Sequence, residues 1–242
     1  MADNDMWTIK AALDWTIGFL ERKGDENPRL SAEWLMSEAT GLSRIELYVN
    51  FERPLTLDER ATLRDFVARR GKGEPLQLIS GKVPFRYITI LVAPNVLIPR
   101  PETEVLVSEA FAELKLPRVA DHVAAGENGE EVVSPELPEL RVVDLCTGSG
   151  CIACSIASEY PAAHVVALDI APEALALAGK NVEVLGLGNR VEVLESDLLG
   201  ALDPGKKGTF DLIVSNPPYV PTKVCDSLPR EVSEWDPRLA LD

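Results

Sequence analysis

"LRVVDLCTGSGCIACSIASEY", residues 140–160, decides the fold. An apolar run that can be buried on both faces ends in Asp144; Gly148 and Gly150 follow, and small apolar residues then continue for helical length. That is strand, tight turn and helix. In a doubly wound α/β sheet the ligand lies beyond the carboxyl ends of the strands, where glycines let the backbone approach it closely. The spacing Asp-x-x-x-Gly-x-Gly lacks the last glycine of the dinucleotide fingerprint Gly-x-Gly-x-x-Gly, and no lysine follows as in a phosphate-binding loop. A dinucleotide and a triphosphate are therefore disfavoured, and on this stretch alone a tight turn without a ligand stays open.

Outward from this unit, "HVVALDI", "PEALALAGKNVEVLG", "RVEVLESD" and "FDLIVSN" alternate short apolar runs with amphipathic helices. The pattern implies βαβ units, right-handed crossovers and a parallel sheet. The second strand ends in Asp169, about twenty residues past the glycines, where a carboxylate can accept from ribose hydroxyls. "ESDLL" brings Asp197 to the same rim, where it can accept from an adenine amino group. Either acid alone is equally a helix cap or a solvated residue. Three acids on successive strand ends, with glycines between the first two, favour a nucleoside without phosphate.

The fourth strand delivers Asn216-Pro217-Pro218-Tyr219 to that rim. An amide or base amino nitrogen is a poor nucleophile because its lone pair is delocalised, and acceptors aimed at its two hydrogens let it pyramidalise toward an electrophile. The Asn216 side-chain oxygen and the Pro217 carbonyl can be those acceptors. The prolines hold the backbone rigid and add no competing donor, while Tyr219 offers a flat face for a planar group. An ordinary Pro-Pro turn accounts for the prolines but for neither Asn216 nor Tyr219.

The rest of the chain sets limits. Its 242 residues are 46% hydrophobic, no apolar stretch has the length of a membrane span, and "MADNDMWTIK" lacks the order of a signal peptide. A cytoplasmic globular protein is expected. The net charge of −15 divides into −2 over residues 1–73 (11 Lys+Arg, 13 Asp+Glu) and −13 over 74–242 (13 and 26). A duplex binder needs basic surface, so stable nucleic-acid binding is not expected. Cys151 and Cys154 form a C-x-x-C, but with two His in the chain and no second pair no metal site is expected, and small buried helix residues are the simpler reading.

Residues 1–73 read as a helical bundle. "WTIKAALDWTIGFLERKG" stops at Gly24, Asn27-Pro28 supplies a cap and a proline at the first helical position, and Gly41 closes the second helix. Ser43 with Glu46 and Thr56 with Glu59 are capping boxes, the last helix ending at Gly71 and Gly73. Residues 74–100, with "PLQLISG" and "FRYITILV", read as β-rich, a β-hairpin connector. "IPRPETE" leads into another helix, and residues 117–139, six acids against one Arg, read as an exposed, mobile insertion.

Together these segments resemble a known family. (Asp/Asn/Ser)-Pro-Pro-(Tyr/Phe) marks the S-adenosylmethionine-dependent methyltransferases that act on planar nitrogen. "EPLQLISG", "VLIPRPETE", "DLCTGSGCIA", "ALDIAPEALALAGKN" and "FDLIVSNPPYV" resemble more closely the release-factor glutamine methyltransferases of the HemK/PrmC type. The resemblance implies a Rossmann-like class I methyltransferase domain over 101–242, preceded by the connector and by a substrate-recruiting bundle. It implies methyl transfer from S-adenosyl-L-methionine to the N5 nitrogen of the glutamine in the Gly-Gly-Gln motif of peptide chain release factors. A monomer that acts away from any membrane is expected. By the same carry-over Thr147, Gly148, Ser149 and Gly150 hug the methionine end of the donor, with Asp144 and Asn216 also counted among its binding residues. Asp169 binds the ribose, Asp197 with Leu198 borders the adenine, and Asn216, Pro217, Pro218 and Tyr219 hold the glutamine amide, with Phe85 helping to wall the slot. Arg100 to Glu104 either line the cleft or simply open a helix with proline and acids in its first turn.

The chain departs from the family pattern at Cys146, usually glycine, and at Pro84 and Arg86, which replace an acid and an aromatic flanking Phe85. "EWDPRLALD" resembles the segment before the last three strands of such a domain, which implies a fragment whose fourth strand is a sheet edge, less stable than an extended chain. Three other readings share these motifs: a DNA or RNA amino-methyltransferase, a glutamine methyltransferase of a ribosomal protein, and a module that binds donor or release factor without turnover.

Overall fold

The computed structural model describes residues 7–116, 137–206, 208–225 and 227–242. The insertion read at 117–139 lies, from 117 to 136, outside the described residues. The described residues form two compact units, those within 1–81 with 229–235 and those within 82–228 with 236–242.

The first unit is helical: α1 (Ile9–Arg22), α2 (Pro28–Thr40), α3 (Arg44–Val49), α4 (Leu57–Arg70) and α5 (Leu76–Ser80). One apolar core holds Ile9, Leu13 and Leu20 of α1, Leu35 and Met36 of α2, Leu47 of α3, and Leu63 and Val67 of α4. Both capping boxes form, Ser43 with Glu46 and Thr56 with Glu59, and Gly41 stops α2 in the left-handed conformation at φ 71°. Two sequence readings are corrected. Asn27 makes no side-chain cap bond; the Asp25 carboxylate takes the Asn27 N–H at 2.8 Å, and is itself fixed by Arg70 at 2.7 Å and Ser31 at 2.8 Å. "PLQLISG", read as β-rich, is the short helix α5, because Ile79 and Leu76 join the bundle core and Gly81 ends the turn at φ 72°. Packing overrides the local β preference there.

The second unit opens with an antiparallel hairpin, β1 (Lys82–Phe85) and β2 (Ile88–Leu91), turning at Arg86 with φ 51°. The elements α6 (Pro101–Glu113), β3 (Leu140–Leu145), α7 (Cys151–Glu159), β4 (Ala163–Asp169), α8 (Pro172–Val184), β5 (Val191–Glu195) and β6 (Leu212–Ser215) follow. The four later strands form one parallel sheet in the order β5-β4-β3-β6. This is the Rossmann-like α/β arrangement that the alternating pattern implies. Val142 and Val143 are consecutive and both fully buried, as are Ala167 and Leu168, so β3 and β4 are covered on both faces. Register places Leu145 opposite Leu168 and Ser215, and Asp169 opposite Glu195. The four strand ends therefore share one rim, as a βαβ sheet requires. At the end of the sheet order, β6 leaves Ile213 exposed.

Candidate functional site

The site grows from the end of β3. Asp144 has no exposed surface; its Oδ2 accepts the Thr147 hydroxyl at 2.6 Å and the Ala153 N–H at 3.1 Å, while Oδ1 has no partner among the described residues. Burial, with Asp169 close by, pushes the Asp144 carboxyl up to about 7. Its folded value thus stands above the ordinary 3.8, so its share of stability is whole below about pH 4 and is lost as pH rises through 7. We expect the chain to lose about 3 kcal/mol between pH 5 and 8 relative to Asp144→Asn, read from denaturant midpoints across that range. Parallel pH profiles for the two proteins would refute this.

The chain next turns at Cys146, whose φ of 60° lies in the left-handed region that favours glycine. Relief of about 1–2 kcal/mol of strain, less the added freedom of an unfolded glycine, predicts that Cys146→Gly stabilises the protein by about 1 kcal/mol or less. A urea titration measures it, and a lowered midpoint contradicts it. The Thr147 N–H bonds Leu168 O at 2.9 Å, and the Gly148 N–H bonds Asp169 Oδ2 at 2.8 Å while Asp169 Oδ1 accepts the Ala171 N–H at 3.0 Å. Asp169 so ties the glycine turn to the start of α8. At Gly150, φ 78°, an added Cβ would lie 3.2 Å from Ala178 Cβ, so α7 and α8 approach closely only over glycine. Cys151 and Cys154 are buried, their thiols pushed up to about 12 chiefly by burial, and they pack α7.

After β6, Ser215 Oγ donates to Leu145 O at 2.7 Å, and Asn216 Nδ2 reaches Thr103 Oγ1 at 3.4 Å. Thr103 stands in the first turn of α6, after Arg100 as N-cap and Pro101 at N1, and Arg100 pairs with buried Asp236. "IPRPETE" thus opens a helix and also touches the Asn-Pro-Pro-Tyr tip. Pro217, Pro218 and Tyr219 are exposed, Tyr219 at 78%.

A cavity of about 260 Å³ gathers much of this. Of the expected residues it is lined by Gly148, Asp169, Asp197, Leu198, Asn216 and Pro218. Asp144, Thr147, Ser149 and Gly150 are buried and do not line it; the Thr147 hydroxyl is turned inward to Asp144. Pro217 and Tyr219 lie outside its lining. Phe85 is 1% exposed and does not line it either, because the alternation of β1 sends Val83 and Phe85 to the buried side. Other lining residues have no role in the sequence reading, among them three groups. Asn95, Val96 and Leu97 form a wall after β2, Glu173 stands at the start of α8, and Pro237, Leu239 and Ala240 come from the segment after Asp236. A larger hollow of about 370 Å³ in the helical unit, bordered by Trp7, Trp15 and Phe19, carries none of the strand-end acids.

Asn181, the last residue of "ALDIAPEALALAGKN", also has no role in the sequence reading. It is 1% exposed in α8 among Leu177, Ala178 and Val182, a polar residue on the buried face of an amphipathic helix. No helix among the described residues is long and apolar enough to cross a membrane.

Residues 11–81 match the family model of the PrmC N-terminal domain, and residues 127–228 that of the methyltransferase small domain. The chain is 46% identical to the release factor glutamine methyltransferase of Geobacter sulfurreducens over 98% of this chain and 74% of that protein. It is 43% identical to that of Rhodopirellula baltica, over 97% and 73%, and 38% identical to that of Chlorobaculum tepidum, over 100% and 77%. Among solved structures, the N-terminal domain of human METTL16 aligns with a TM-score of 0.41 and 18% identity over 71% of this chain and 57% of that one, too loose a likeness to bear on substrate.

Proposed function

The chain belongs to the release factor glutamine methyltransferase family and is a transferase that methylates protein glutamine; from that premise we propose that S-adenosylmethionine binds in the 260 Å³ cavity and that Asn216 to Tyr219 hold the glutamine amide beside it. The supporting observation is convergence: residues from three strand ends, Gly148, Asp169 and Asp197, meet Asn216 and Pro218 from the fourth around one cavity. The donor set fits. Asp169 keeps free lone pairs after accepting two backbone N–H groups and can take ribose hydroxyls. Asp197 stands where an adenine amino group can donate, and Val96 and Leu198 supply apolar contact for a flat base.

When bound, S-adenosylmethionine supplies a methyl carbon made electrophilic by its sulfonium. The chain supplies acceptors and orientation. Asn216 Oδ1 and the Pro217 carbonyl accept from the two hydrogens of the substrate amide, drawing its lone pair out of conjugation. Exposed Tyr219 offers its ring to the flat carboxamide. No general base is needed to begin attack, because the nitrogen grows acidic as its bond to carbon forms and sheds a proton afterward.

The substrate is the glutamine of the Gly-Gly-Gln motif of a peptide chain release factor, met in the cytoplasm. The charge of −13 over residues 74–242 argues against a nucleic-acid substrate. The test is incubation with methyl-labelled S-adenosylmethionine and a purified release factor, followed by peptide mass spectrometry. One methyl on that glutamine is expected; label on nucleic acid or a ribosomal protein alone would overturn the assignment.

A further inference from the structure

We propose that Asn181 is a positioning residue for methyl transfer, a clamp that sets the spacing between two segments lining the donor cavity. The proposal rests on the functional reading above. It starts from three bonds made by one buried side chain. Asn181 Oδ1 accepts the Leu91 N–H at 2.8 Å, and its Nδ2 donates to Leu91 O at 3.0 Å and to Ser149 O at 2.9 Å. Both Nδ2 hydrogens are spent.

The pair of bonds to Leu91 is what a neighbouring strand residue would give, N–H and C=O answered together. Asn181 thus pairs with the end of β2 through a side chain, and its remaining hydrogen holds the glycine turn. Each partner leads directly to a cavity wall. Four to six residues beyond Leu91 stand Asn95, Val96 and Leu97, with Val96 packed on Ala174 and Leu177 of α8. One residue before Ser149 stands Gly148, bonded to Asp169. Asn181 itself does not line the cavity, so it acts through these two segments.

A buried amide in a helix whose other buried residues are apolar is costly unless all its polar atoms are satisfied, and here the satisfaction comes from two segments far apart in sequence. No aliphatic side chain of similar size makes any of the three bonds. Asn181→Leu keeps the branching and heavy-atom count, with bulkier methyl groups, but deletes all three; Asn181→Asp keeps the Leu91 N–H bond and sets a carboxylate against two carbonyl oxygens.

The test measures KM for S-adenosylmethionine, KM for release factor, and kcat for wild type, Asn181→Leu and Asn181→Ser, below the melting temperature of each. Loosened walls predict a donor KM raised about tenfold or more with release-factor KM unchanged, the cost of misplacing bound groups. A purely structural role predicts a lowered melting temperature with both KM values at wild-type level, and that result overturns the proposal. Should both variants fail to fold, hydrogen exchange of native protein decides: saturating S-adenosylhomocysteine must slow exchange of the Leu91 amide, and unchanged exchange overturns the clamp. If wild type itself fails to bind S-adenosylmethionine, the functional reading has failed, which is a separate outcome from wild-type-like binding by the variants.

Discussion

Asn216→Ala is expected to lower kcat by about 10²–10³, the loss found when one preorganised polar group is removed from a transition state, while the affinity for S-adenosylmethionine changes little. Asn216 is one residue among the cavity's lining, so most donor contacts survive the truncation. Its oxygen matters differently, because an acceptor for the substrate N–H strengthens only as the nitrogen pyramidalises and its hydrogens become acidic. An interaction made mainly in the transition state appears in kcat and in kcat/KM together. Thr103 takes part through orientation. By receiving Nδ2 at 3.4 Å it turns Oδ1 of the same carboxamide away from itself, leaving the acceptor end for substrate. Asn216→Asp retains an acceptor but loses that donor and adds charge, so its kcat should fall between alanine and wild type. Single-turnover methylation of a release factor, with calorimetric binding of S-adenosylhomocysteine, separates the two quantities. A kcat for Asn216→Ala within threefold of wild type would remove the amide-activation mechanism.

What the sequence disclosed here followed the range of the interactions involved. Capping boxes such as Ser43 with Glu46 are contacts three residues apart, so they could be read directly and form as read. The parallel sheet was legible because Val142, Val143, Ala167 and Leu168 must be buried on both sides of their strands. The strand-end acids and the Asn-Pro-Pro-Tyr tip were legible in position, since a βαβ sheet sends every strand end to one rim. Direction was not. Thr147 faces inward because Asp144 is buried and takes its hydroxyl, and Phe85 faces inward because of the pleat of β1. The walls at 95–97 and 237–240 belong to irregular segments without periodicity, brought to the cavity by packing on α8 and by the Arg100–Asp236 pair. "LQLIS" misleads for a related reason: five residues carry too little pattern, and the bundle core decides their conformation.

Arg86→Ala is expected to destabilise the second unit by about 3–5 kcal/mol, the penalty for removing one partner of a buried ion pair. The Arg86 side chain is 11% exposed and that of Glu159 is 4% exposed. Its guanidinium grips Glu159 with both edges of the fork, Nε to Oε1 at 2.5 Å and Nη2 to Oε2 at 2.6 Å, and Nη1 donates to Glu104 O at 2.9 Å and Ser108 Oγ at 2.5 Å. One residue at the hairpin turn therefore joins α6 and α7. Pairing with Glu159 raises the guanidinium further above its ordinary range, so its charge is constant across any pH at which the protein is handled. Removing it leaves a buried carboxylate without its counter-charge. Arg86→Lys keeps charge but not the fork, and should lose about half as much, because a single ammonium cannot answer two carboxylate oxygens and a carbonyl together. Arg86→Met with Glu159→Gln deletes both charges and should recover most of the stability lost by Arg86→Ala. Arg86 also sits at φ 51°, so Arg86→Gly keeps the turn unstrained while removing the pair, and its midpoint separates the contribution of the ion pair from that of the turn. Guanidinium titrations of the four variants with unchanged slopes give these differences. An Arg86→Ala protein within 1 kcal/mol of wild type would mean that Glu159 finds water or another donor, and that the hairpin is held by its apolar face alone.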